Sequence, residues 1–297
     1  MKVLLIGGSG QIGRELLPVF QAKNIEYFAP TRSELDLDQS RQIDACLKQY
    51  KPDFVINTAG YNDPVMAENE PSRCFKINRD AVAELADCCD RVGAALIHIS
   101  TYRVFDGEKK DPYTEKDTPN PTGVLATSRW QAEQQIHQRC KRHLILRFSW
   151  VISEHRNNLL RYLLNQITKE KEVAVVSDQL GCPTPAEDAA KVIVALIQQL
   201  NCDAEAWGTY HYAGAEPVSE NSFAEMVIAE ASQHRQLTIR KLKMDKVSDR
   251  EGIRPPTNAS LSCSKILNTF GVHNRPWRNT LSRIIRTHYL KESQSQY

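Results

Sequence analysis

A doubly wound parallel sheet with helices on both faces is the α/β fold class this sequence predicts, on three observations. Short apolar runs alternate with helix-length amphipathic segments through the first half of the chain. Those runs are apolar at nearly every position, as strands covered on both faces are. The first of them leads directly into a glycine-rich turn and then a helix, the way a parallel α/β unit begins.

Taken in order, "KVLLIG" reads as a buried strand and "QIGRELLPVFQAK" as its helix. "IEYFAP" and "SRQIDACLKQY" form the second pair, and "DFVINTAG" with the long helix "PSRCFKINRDAVAELADCCDRVG" the third. "ALIHIST", the helix "TSRWQAEQQIHQRC" and the strand "HLILRFSWV" complete the half. Beyond about residue 150 the alternation loosens. The helix "NNLLRYLLNQITK", the strand "EVAVVSD", the helix "PAEDAAKVIVALIQQL" and the strand "GTYHYAG" follow. "SENSFAEMVIAEASQH" is a helix capped by Ser219 or Asn221, because a short polar side chain there satisfies a free backbone N–H. A turn-rich stretch "IRPPTNASLSCSKILNTFG" precedes the last helix "NTLSRIIRTHYLK", and "KESQSQY" reads as a disordered tail. The expected organisation is a nucleotide-binding domain over 1–150 plus about 170–205. A smaller α+β substrate domain, about 151–169 and 206–297, would cover the sheet's carboxyl edge.

Composition narrows the function classes. Hydrophobic residues at 41% and charged residues at 25% are ordinary for a globular chain. A net charge of +2 makes no electrostatic case for nucleic acid or a membrane surface. No apolar run approaches the ~18 residues a bilayer span needs. The opening "MKVLLIGGSG" is too short in apolar residues for a signal-peptide core, so a cytoplasmic location is expected. Eight cysteines and eight histidines are scattered, without C-x-x-C pairs or metal-ligand spacing, so no metal site is expected.

The chemistry begins at "LLIGGSGQIGRE", where Gly7, Gly10 and Gly13 fall in a G-x-x-G-x-x-G spacing between a strand and a helix. Glycines there allow a tight turn and close approach of a pyrophosphate, while Gln11 and Ile12 open a helix whose free N–H groups hold the charge. The pattern is strong only because the strand and helix flank it. After the second strand, "APTRSELDLD" carries Arg32 and Asp36. A guanidinium there suits a 2′-phosphate and favours NADP(H) over NAD(H), with Asp36 toward the adenine. Thr58, Ala59 and Gly60, in "NTAG" at a strand end, would let backbone pass close to the cofactor. Ser100 supplies a hydroxyl at the end of the fourth strand.

Together these pieces resemble an extended short-chain dehydrogenase and, more narrowly, the dTDP-4-dehydrorhamnose reductase family. The likeness runs through "GGSGQIGREL", "TRSELDLD", "INTAGYN", "AENEP", "ISTYRVFDG", "PYTEKDTPNP", "SDQLGCPTPAEDAA", "GTYHYAG" and "RPPTNASLSCSKI". The resemblance implies a Rossmann-type domain with a small substrate domain, and reduction of a 4-keto nucleotide-sugar by a nicotinamide cofactor. It also implies an active centre of threonine, tyrosine and lysine. Thr101 matches the threonine, but in "TGVLATSRWQAE" the tyrosine position is Leu125 and the lysine position Arg129. "FDG" before and Ser128 to Glu133 after hold that register without a gap.

The cost of this change is chemical. Hydride reaching a carbonyl carbon leaves charge on oxygen, and a phenol beside a cation can supply the proton. Leucine has none to give, and a lost general acid costs typically ~10²–10⁴ in rate. Arg129 can still hold the cofactor ribose but is a poor proton relay. Tyr102 and Arg103 stand where relatives have Asp-Tyr, and Val65 and Met66 where they have Asp-Lys. Tyr102 is the one candidate substitute acid. It should face away from Thr101 if the strand continues, since successive strand side chains alternate.

Asn78 and Arg254 match positions near the nucleotide-sugar in the family, and Glu15 and Glu187 fall where some relatives place acids of a magnesium-bridged dimer. The expected protein binds NADP(H) and has absent or very weak reductase activity, with a nucleotide-sensing or partner-binding role. The family's regulatory subunit of methionine adenosyltransferase gives that role a precedent. The rival is an active reductase with a relocated proton donor. A nucleotide-sugar, a protein partner and a homodimer are the associations the resemblance allows.

Overall fold

A computed structural model of the chain describes residues 1–202, 204–249 and 254–294. The first half runs β1 (Lys2–Ile6), α1 (Gln11–Ala22), β2 (Glu26–Phe28), α2 (Ser40–Tyr50), β3 (Phe54–Asn57), α3 (Pro64–Asn69) and α4 (Pro71–Phe75). It continues with α5 (Ala81–Val92), β4 (Ala95–Thr101), α6 (Gly123–Arg139) and β5 (His143–Phe148). The second half contains β6 (Val151–Ile152), α7 (Leu159–Lys169), β7 (Glu172–Val176), β8 (Leu180–Gly181), β9 (Thr184–Pro185) and α8 (Ala186–Leu200). It closes with β10 (Gly208–Tyr212), β11 (Val218–Ser219), α9 (Glu220–Ala231), β12 (Lys241–Asp245), α10 (Ser264–Phe270) and α11 (Arg278–Gln294).

Six parallel strands form the central sheet in the order β2-β1-β3-β4-β5-β10. Because β2 and β3 lie on opposite sides of β1, the winding reverses between β1 and β3. Such a reversal opens a crevice beyond the carboxyl ends of the strands. Alternation sorts the strand residues onto two faces. Val3, Leu5, Phe54, Ile56, Ile97, Leu144 and Leu146 pack beneath α1 and α8, while Leu4, Ile6, Val55, Leu96 and Ile145 pack beneath α2, α5 and α6. A separate apolar core joins α7, α9 and α11 around Phe223 and Trp277.

Several expectations change. Gly208–Tyr212 of "GTYHYAG" form the sixth strand of the central sheet, paired with β5, while Ala213 packs in the second core. "EVAVVSD" leaves the expected 170–205 block instead: β7 pairs with β12, and Val173 and Val175 enter the second core. Within the turn-rich stretch α10 forms, and its Ile266 and Phe270 pack on the sheet core. Each exchange depends on pairing between distant segments, which local pattern does not specify. The long third helix is interrupted by a π-helical turn at Lys76–Asp80. Ser219, not Asn221, is the cap of α9, accepting from the Ser222 N–H at 3.1 Å. Lys291–Gln294 of the expected disordered tail are helical, while 295–297 lie outside the described residues.

Candidate active site

The glycine loop sits where β1 ends, against the loop that follows β3. Gly7 has φ +88°, the left-handed region, and a Cβ on it would lie 2.6 Å from the Ala59 nitrogen and 2.7 Å from the Thr58 Oγ1. Gly13 lies under the loop, where a Cβ would run into the Gly7 carbonyl oxygen. The Gly10 N–H closes the turn on the Gly7 carbonyl at 2.9 Å. Thr58 donates its hydroxyl to the Ile6 and Gly7 carbonyls, both at 3.0 Å. Bare backbone thus faces the crevice at both strand ends, with the start of α1 and its unpaired N–H groups behind it. This cradle fits a dinucleotide pyrophosphate.

The opposite side of the crevice is built by the start of α6. Leu125 is buried and packs against Ala67 of α3 and Cys74 of α4. One turn on, Arg129 is only 6% exposed and lies across Gly60, where a Cβ would collide with its guanidinium. Its Nη2 donates to the Asn62 Oδ1 at 2.5 Å and its Nη1 to the Ile99 carbonyl at 3.4 Å. Burial lowers the Arg129 pKa to about 10, which leaves the group charged at neutral pH. Asp63 caps α3 by accepting from the Met66 N–H, and this turn presents Val65 and Met66 to solvent beside the crevice.

Beneath α6, the strand ends carry a buried polar layer. Asn57 pairs with His98, and Ser100 with Arg147, which pairs in turn with His211. Glu133 of α6 takes both Nε and Nη2 of Arg147, the latter at 2.5 Å, and accepts the Ser100 hydroxyl at 2.5 Å. His211 donates from Nδ1 to the Tyr113 carbonyl at 3.0 Å, and its Nε2 accepts from Arg147 at 3.3 Å. Asn57 donates its amide to His98 Nδ1 at 3.2 Å, and its Oδ1 accepts the Ala59 N–H. Burial, with the nearby Arg147 or Arg129 charge, holds both imidazoles neutral and drives each pKa down to about 3. Sequence reading missed this layer. Its signal was a polar residue recurring at alternate positions near the ends of otherwise apolar strands.

Gly7, Gly10, Gln11, Ile12, Gly13, Thr58, Ala59, Gly60 and Arg129 come together around the crevice. Gln11 uses its side chain to accept the Ser153 hydroxyl at 2.9 Å, tying α1 to the segment after β6. Thr101 ends β4, and its Oγ1 accepts from the Arg103 N–H at 3.2 Å. Arg32 is exposed beyond β2 with its Nε 3.4 Å from Asp36.

Other positions depart from expectation. Ser100 is buried, and its hydroxyl donates to Glu133. Asn78 is buried and makes two bonds to the Tyr61 backbone and one to Ser128, which anchors the loop to α6. Tyr102 follows the end of the strand in a 3₁₀ turn and is buried in the second core. Arg254 is exposed at the edge of a segment fastened elsewhere: Asn258 donates to the carbonyls of Lys109 and Asp111. Glu15 approaches His155 at 3.5 Å, and Glu187 is ion-paired with Lys191 and Arg283.

This fold and crevice define a Rossmann-type α/β protein of the extended short-chain dehydrogenase kind. More narrowly, the chain belongs to the RmlD substrate binding domain family, which matches residues 1–290. It is similar to dTDP-4-dehydrorhamnose reductase of Sinorhizobium fredii, 32% identical over 96% of this chain and 97% of that protein. Among solved structures it is similar to the Clostridium acetobutylicum dTDP-4-dehydrorhamnose reductase, with TM-score 0.87, 28% identity and coverage of 97% and 99% of the two chains. The Bacillus anthracis enzyme in complex with NADP shares the fold, with TM-score 0.86, 24% identity and coverage of 96% and 99%. No helix among the described residues is long and apolar enough to cross a membrane.

Proposed function

We propose that this chain is an NADP(H)-binding member of its family in which 4-keto nucleotide-sugar reduction is absent or very weak, leaving a nucleotide-sensing or partner-binding role. The glycine cradle and the NADP bound to the Bacillus anthracis neighbour support cofactor binding. Arg32 beyond β2 supports the phosphorylated cofactor. When bound, that cofactor would bring a hydride; this chain's residues would hold it and would have to protonate the resulting oxyanion.

One observation carries the reading: the residue at the proton-giving position, Leu125, is an alkyl group packed against Ala67 and Cys74. Neighbouring phenols offer no replacement. Tyr61 donates to Glu70 at 2.9 Å, Tyr113 donates to Asp106 at 2.7 Å, and Tyr102 is enclosed by the second core. Arg129, still ionised, does not release a proton at neutral pH. Val65 and Met66, exposed on the substrate side, further support loss of a charged sugar-nucleotide contact.

The test is turnover of dTDP-4-keto-6-deoxy sugar with NADPH, beside cofactor titration. Native protein should bind NADPH and turn over negligibly, and Leu125→Tyr with Arg129→Lys should raise the rate by ~10²–10⁴. Rapid turnover by the native chain would establish a relocated proton donor in place of this reading.

A further inference from the structure

Arg129 is a buried cation without an anion. Its guanidinium meets a neutral amide oxygen and a backbone carbonyl, and it forms no carboxylate pair among the described residues. Glu133, one turn along α6, is the carboxylate that bears on its charge, and both Glu133 oxygens are already bonded to Arg147. His98, which also senses Arg129, is neutral, and Leu125 cannot ionise. The Arg129 charge is therefore buried with neutral hydrogen-bond partners, at low dielectric where screening is weak.

The strand order says which end of a dinucleotide meets that charge. With the adenosine phosphate near Arg32 beyond β2 and the pyrophosphate over β1, the other end reaches β3 and β4. Three strand spacings separate β2 from β4, about 14 Å, the span of an extended dinucleotide. Arg129 stands at that end, over Gly60 after β3 and bonded to Ile99 of β4. An oxidised nicotinamide ring carries a positive charge, and a reduced one carries none.

We propose that this crevice selects the reduced cofactor over the oxidised one, with the Arg129 guanidinium as the discriminating group. The proposal rests on the NADP(H)-binding reading and makes the site a sensor of the cofactor's redox state. No electron transfer is required. Two unit charges a few ångströms apart at an effective dielectric near 20 repel strongly enough for a preference on the order of tenfold or more.

Isothermal titration of the native chain with NADPH and with NADP⁺ at low ionic strength tests this directly. NADPH should bind about tenfold tighter; equal affinities, or tighter NADP⁺, would overturn the proposal. Arg129→Lys, which keeps the charge, should retain the ratio, and Arg129→Gln should bring it near one. Asn62→Asp provides a second arm should Arg129→Gln fail to fold. It sets a carboxylate where the Asn62 oxygen now lies 2.5 Å from the guanidinium, and should shrink the preference likewise. An unchanged ratio in these neutralised variants removes Arg129 as the cause. Failure of the native chain to bind either form would instead overturn the cofactor reading itself.

Discussion

The two sides of one crevice are built in opposite ways. On the β1–β3 side the backbone leaves no room for change: Gly7 sits in the left-handed region against Ala59, and Gly13 lies against the Gly7 carbonyl. On the β4–α6 side the aliphatic Leu125 packs against Ala67 and Cys74, a guanidinium lies over Gly60, and Val65 and Met66 face solvent. Phosphate holding relies on close backbone approach, which tolerates few substitutions. Proton delivery relies on one side chain, which a packing residue can replace without disturbing the fold.

The largest effect should come from the floor under the altered side. Glu133→Gln leaves the buried Arg147 guanidinium without its carboxylate and should cost about 3–5 kcal/mol, read by urea denaturation. A near-neutral result would mean that the polar layer does not stabilise α6, and that both sides of the crevice are equally free to change. Acid should act on the same layer. His98 and His211 fold as neutral imidazoles with pKa about 3, below the usual 6.5. The unfolded chain therefore binds more protons below pH 6.5. Stability should be at its full value above that pH and fall toward about pH 3 by roughly 1.4 kcal/mol per pH unit for each histidine. Thermal melts across that range, with His211→Asn as a shallower control, measure the slope.

A smaller effect is expected on the glycine cradle. Gly13→Ala sets a methyl against the Gly7 carbonyl and 2.8 Å from the Gly8 Cα. It should destabilise by about 1–3 kcal/mol and weaken NADPH binding, measured by melting and titration. Unchanged binding would show that the loop can shift, and would remove the contrast between the two sides. Smallest should be Arg32→Ala. Its exposed pair with Asp36 contributes at most about 1 kcal/mol to stability, so folding should be unaltered while the proposed preference for NADP(H) over NAD(H) falls.

Local chemistry made much of this readable in advance. The glycine spacing after an apolar run located the turn after β1, and Arg129 fell on the expected helix, whereas Leu125, two residues before that helix was expected to begin, lies in α6 as well because the helix starts at Gly123. The internal partners of Ser100 and Asn78 were not legible, because residue type and position do not say which group a hydroxyl or amide will meet. Glu133 lies 33 residues from Ser100, and Ser128 lies 50 from Asn78. The polar layer remained hidden for the same reason.

By itself, the sequence determined the alternation of buried strands and amphipathic helices, the phosphate-holding turn, and the absence of a phenol at position 125. Those follow from side-chain chemistry and short-range spacing. Only the tertiary structure decided that Gly208–Tyr212 completes the sheet, that Tyr102 enters the second core, and that Arg129 lies buried without an anion. Pairing, burial and charge balance arise between segments far apart in the chain, so each becomes definite only when those segments meet.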